Sequence, residues 1–130
     1  MTPNRENLQK LHDALGREAY FTMEIWTDGP TRTKKDGRTP KDCGTAACIG
    51  GTAEILMLAD GYVDVRQSDV AKWLGIPVYT GEETFYPDMR KGGYEAVTLE
   101  DARKVVLNLM EYGKPRWNEV RPDLTEDAVR

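Results

Sequence analysis

Two cysteines and one histidine are the chain's whole supply of thiols and imidazoles. Cys43 and Cys48 sit in the run Asp42-Cys43-Gly44-Thr45-Ala46-Ala47-Cys48-Ile49-Gly50-Gly51. A cysteine just ahead of a helix has its thiolate favoured by the helix dipole and by unpaired N–H groups. Papain-like hydrolases place their nucleophile in this way, but they also need a histidine base, ordinarily well downstream. Nothing after Cys48 is a histidine, and His12 lies upstream. The favoured reading is a small buried thiol that lets helices approach, since free cysteine is among the most buried residue types. A hydrolase using Cys43 or Cys48 with His12 is the alternative.

Other chemistry finds less support. Structural zinc wants four ligands with close cysteine spacing, whereas Cys43, Cys48 and His12 make three at an unhelpful spacing. No metal and no cofactor is expected. His12 stands one step off an apolar face formed by Leu8, Leu11 and Leu15, so it reads as a boundary histidine with a hydrogen-bond partner. Glu82-Glu83 and Glu100-Asp101 read as a solvated loop and a charged first helical turn, not as a glycosidase pair.

One binding constellation stands out. From Gly29 to Asp42 five bases (Arg32, Lys34, Lys35, Arg38, Lys41) face two acids, giving +3 and leaving −7 on the rest of the chain. This loop leads into Cys43-Gly44-Thr45, taken as the start of a helix whose first N–H groups suit an anion. Trp26 precedes the loop as a stacking surface. The candidate ligand residues are therefore Trp26, Arg32, Lys34, Lys35, Arg38, Lys41, Gly44 and Thr45, and the ligand is small, anionic and nucleotide-like. Gly44, Gly50 and Gly51 fit neither a phosphate-loop nor a dinucleotide template. A solubilising loop beside a core tryptophan is the plainer reading of the same residues.

The elements that must position these residues are mostly helical. Thr2-Pro3 reads as a cap and first helical residue, with an apolar face of Leu8, Leu11, Leu15 and Ala19 running to about Glu18. Phe21, Met23 and Ile25 alternate with polar residues as a short strand would. The turn formers of 28–42 make a connector, with Asp36-Gly37 a possible hairpin tip. The spacing predicts a helix over 45–59, apolar almost all round and stopped by Asp60-Gly61. Gly50-Gly51 inside it implies close approach by a neighbour. A short helix capped by Ser68 ends at Gly75 before Pro77, and 81–89 reads as irregular, anchored by Phe85 and Tyr86. Thr98 caps the last strong helix with Asp101 three residues on, and Gly113 and Pro115 end it. The expected fold is a mainly α (α+β) domain over 1–115, about four helices around a central glycine-bearing helix with a small β element. A polar, mobile tail is expected over 116–130.

Composition sets the outer limits. The chain has 130 residues, 39% apolar and 31% charged, with three Trp and six Tyr. That is one domain's worth of length and enough core to offset ordering entropy. A net charge of −4 argues against a protein whose main task is coating duplex DNA. No apolar run reaches the roughly 20 residues of a membrane span. The first residues carry no hydrophobic signal region and the cysteines are few, so a reducing cytosol is expected.

The run Phe21-x-Met23-x-x-Trp26, then Cys43-Gly44-Thr45-x-x-Cys48-Ile49-Gly50-Gly51, then Ala71-x-x-Leu74-Gly75-Ile76, resembles a family of small accessory proteins encoded by tailed phages and bacterial prophages. The resemblance spans roughly residues 20–110, and the basic stretch 28–42 stands in it as an insertion. It implies a phage or prophage accessory protein and assigns no activity to any residue. The lack of a complete catalytic set beside a segregated basic patch at a helix start leads to the expectation of a non-enzymatic protein that occupies a host or defence-system protein or sequesters a nucleotide-like ligand. A virion or assembly component is a further alternative.

Overall fold

The computed structural model describes residues 2–16, 48–89 and 92–125. Among these residues the chain is mainly helical, with seven helices and no strand. An isolated antiparallel bridge joins Met89 to Thr125. The strand expected near Phe21, the connector 28–42 and the residues Ala19 and Glu18 lie outside the described residues.

Helix α1 (Arg5–Gly16) buries Leu8, Leu11, Ala14 and Leu15. It starts later than Thr2-Pro3 suggests, because Asn4 takes the cap. The Asn4 side chain accepts from the Asn7 N–H at 3.0 Å, the usual work of an N-cap residue. The Asn4 N–H is itself donated to the Leu74 carbonyl at 2.9 Å, which ties the preceding residues to another helix's end.

Helix α2 (Ile49–Ala59) has nine of its eleven residues buried, as its all-round apolar character requires. It does not begin at Thr45. Cys48 is extended (φ −88°, ψ −171°) and caps the helix with its own sulfur, so Gly50 and Gly51 fall in the first turn and not mid-helix. Helix α3 (Gln67–Leu74) is capped at Arg66 and not at Ser68: the Arg66 N–H donates to the Asp69 carboxylate at 2.9 Å. Gly75 ends it in the left-handed region (φ 75°), where glycine carries no Cβ penalty.

Helix α4 (Val78–Phe85) replaces the irregular segment expected from Gly81 onward. Its sequence is a poor helix former, with Gly81 and two threonines. Packing decides it: a Cβ at Gly81 would stand 3.0 Å from that of Ala71, so the missing side chain lets α4 settle on α3. Phe85 is fully buried, as an anchor should be, whereas Tyr86 is half exposed.

After the short α5 (Gly93–Ala96), α6 (Leu99–Tyr112) follows the sequence reading closely. Thr98 and Asp101 exchange side-chain-to-backbone bonds at 3.0 and 3.1 Å, a capping box, and Gly113 closes the helix at φ 72°. Helix α6 packs along α1, which in turn lies on α2, while α3 meets α4.

Residues 116–125 are not a loose polar end. Helix α7 (Trp117–Val120) seats Trp117 in the core, and Leu124 is also buried there. Arg121 reaches back to Asp101 at 2.7 Å. Residues 126–130 lie outside the described residues.

Candidate functional site

Cys48 is the one sequence-derived thiol candidate among the described residues, and its surroundings quiet it. The side chain is 2% exposed. Its sulfur accepts the Gly51 N–H at 3.4 Å, so the thiol serves as the cap of α2. Burial pushes the thiol pKa up; the N–H groups of Gly51 and Gly50 pull it down by less, and the Glu54 carboxylate adds to the rise. The helix-start effect expected to favour thiolate is therefore present but outweighed by desolvation. Glu54, buried mid-helix at 1% exposure, was hidden in the sequence by its apolar neighbours.

His12 is half-buried at the seam of α1 and α6. Its Nδ1 lies 3.5 Å from the Asp13 carboxylate and 3.5 Å from Arg103 Nη2. One nitrogen can serve only one of these: unprotonated it accepts from Arg103, protonated it donates to Asp13. These are the partners of a boundary histidine, and neither is a thiol. Among the described residues no group of three His, Cys, Asp or Glu side chains is placed to hold a metal ion. Trp26, Arg32, Lys34, Lys35, Arg38, Lys41, Cys43, Gly44 and Thr45 all lie outside the described residues.

A different set of residues comes together on α4. Thr80, Gly81, Thr84 and Phe85 face inward. Tyr79, Glu82, Glu83 and Tyr86 fall at i, i+3, i+4 and i+7, so they share the outward face. Tyr79 is 69% exposed and Tyr86 50%. This helix thus points small residues and one phenylalanine inward and two tyrosines to solvent. The four outward residues line an open cleft of about 710 Å³ together with Pro87, Asp88, Lys114, Arg116 and Trp117.

The cleft is held from behind by cross-links between elements. Trp117 Nε1 donates to the Thr84 carbonyl at 3.1 Å, joining α7 to the end of α4. The Tyr94 hydroxyl donates to the Pro87 carbonyl at 2.8 Å. Burial pushes the Tyr94 pKa up, and the nearby Asp88 carboxylate and Tyr86 push it further, so that phenol stays a donor. The Met89–Thr125 bridge ties down the segment after Asp88. Arg116, which also lines the cleft, lies 3.6 Å over the Tyr112 ring and 3.6 Å from the Glu119 carboxylate, so its charge is already engaged.

Comparison with known protein families, with curated proteins and with solved structures gave no match to this chain. The functional argument rests on the chain's own geometry. Among the described residues no helix is long and apolar enough to cross a membrane.

Proposed function

We propose that this chain acts by binding a partner protein, in the manner of a phage-type accessory factor directed at a host or defence component, and not by catalysis. The observation that carries the reading is the α4 cleft: a pre-braced, open surface bearing two exposed tyrosines at helical spacing. Tyrosine supplies large contact area with only two rotatable side-chain torsions, which is why it is enriched at protein interfaces. A cleft held by hydrogen bonds from two neighbouring elements loses little further freedom on docking. The Cys48 thiol, buried and with its pKa pushed up by that burial, supports the same reading from the other side, because a nucleophile must reach its substrate as thiolate.

The test is alkylation of the native protein with iodoacetamide at pH 6, followed by mass spectrometry. A binding protein leaves Cys48 unmodified over an hour, labels it only after unfolding, and modifies Cys43 no faster than a free model thiol at the same pH. Rapid modification of either cysteine in the native state overturns the proposal in favour of a cysteine hydrolase.

A further inference from the structure

We infer that the outward face of α4 is a docking site for a cationic, Lys- or Arg-bearing segment of the partner protein. The inference rests on the binding reading above and specifies its partner. The face reads Tyr79-x-x-Glu82-Glu83-x-x-Tyr86, two aromatic rings bracketing two carboxylates, with Asp88 continuing the acidic side. No ion pair engages Glu82, Glu83 or Asp88 among the described residues. Of the two described cations that line the cleft, Arg116 is occupied by Glu119 and Tyr112. The described lining of the cleft thus holds three carboxylates, Glu82, Glu83 and Asp88, against Lys114 and the engaged Arg116.

The chemistry of this set is specific. A guanidinium or ammonium group gains from a tyrosine face and from carboxylates at once, whereas a phosphate or acidic peptide is repelled by the same carboxylates. Tyr79 and Tyr86 are two helical turns apart, about 10.5 Å along the axis at 1.5 Å per residue. An extended segment of about three residues covers that distance at about 3.3 Å each. A side chain at its centre then lies over Glu82 and Glu83 while its neighbours pass across the rings. The open shape of the cleft suits such a passing segment better than a small enclosed ligand.

The experiment uses the full chain, ¹⁵N-labelled, titrated with short Gly/Ser peptides carrying a central run of arginines or of glutamates, and with spermidine. The arginine peptide is expected to shift the amides of 79–88 and 114–118, and the glutamate peptide to shift none of them. Joint Glu82→Gln and Glu83→Gln replacement should weaken the arginine peptide about fivefold or more, since each exposed charge pair contributes up to about fivefold. Glu6→Gln with Glu100→Gln removes the same net charge away from the cleft and should change affinity by less than about twofold. Tyr79→Ala should weaken binding about threefold and Tyr79→Phe should restore it, as expected for a cation over an exposed ring. Three results overturn the inference: equal binding of both peptides, equal loss in the distant-charge control, or spermidine binding as tightly as the peptide. None of them alters the alkylation result that tests the binding reading itself.

Discussion

Replacing Arg121 with Ala tests whether the last described residues belong to the folded body. The guanidinium makes three kinds of contact. Nη1 donates to Asp101 Oδ2 at 2.7 Å and to the Ala96 carbonyl at 2.9 Å, and the Asp123 carboxylate is bonded at 3.0 and 3.1 Å. The Asp123 pair is worth little, because that carboxylate is 60% exposed and exposed pairs give about 0–1 kcal/mol. The Asp101 pair is the valuable one: the two side chains are 11% and 23% exposed, and a hydrogen bond to a charged group gives about 1.5–3 kcal/mol. Asp101 still holds the Thr98 N–H when Arg121 is gone, so it is not left bare. A loss of about 2–3 kcal/mol follows. At about 4 °C per kcal/mol for a chain of this length, Tm should fall by about 8–12 °C.

The same pair gives a pH signature. Burial raises the Asp101 pKa, but the Thr98 N–H and the Arg121 guanidinium outweigh it and hold the carboxyl below its usual range. A carboxylate lowered on folding stabilises above its unfolded pKa, and that stability is lost as pH falls through the folded value. Wild-type Tm should thus drop on going from about pH 5 downward through the ordinary carboxylate range near 3.9. The Arg121→Ala variant, lacking one cause of the shift, should drop less over the same interval. Thermal unfolding followed by circular dichroism at several pH values measures both effects. A Tm change below about 2 °C at pH 7 would refute the reasoning, since a loosely attached end tolerates such a change within about 0.5 kcal/mol.

Two further outcomes follow from the local geometry. Gly75→Ala should destabilise by more than about 2 kcal/mol, because a Cβ there meets the Asn4 nitrogen at 2.5 Å and the Thr2 oxygen at 2.6 Å in a left-handed backbone. Gly61→Ala, also left-handed but with nothing within 4 Å, should cost only about 1–2 kcal/mol, and equal losses in urea denaturation would contradict the steric argument. Cys48→Ala should cost about 1–2 kcal/mol through the lost cap and a small cavity, read as a lower urea midpoint with unchanged slope. No change in that midpoint would show that the sulfur does not cap α2.

Helix α6 was legible because its signals are local: Thr98, Asp101 and Gly113 each act within one turn of the residue they satisfy. Helix α3 ends at Gly75 for the same kind of reason. The start of α1 was not legible, since the competition between Thr2-Pro3 and Asn4 is settled by the Leu74 carbonyl, seventy residues away in sequence. Nor was the docking of 116–125, where the signal was a single tryptophan in a polar stretch, and Trp117 finds its place only through the Thr84 carbonyl and the core beneath it.

The candidate site was lost with α4. Val-Tyr-Thr-Gly-Glu-Glu-Thr-Phe argues against a helix at every position but its two glutamates, and tertiary packing overrides such a propensity when a glycine admits close approach, as Gly81 admits Ala71. Once 81–89 is read as irregular, Glu82-Glu83 is only a solvated pair and the tyrosines are unrelated. The spacing of Tyr79, Glu82, Glu83 and Tyr86 acquires meaning only on a helix, where i, i+3, i+4 and i+7 share a face. A single misjudged element therefore removes a whole surface from view. The corresponding gain is that the Glu82/Glu83 and Tyr79 variants probe solvent-facing positions, so their effects on binding can be read without loss of fold.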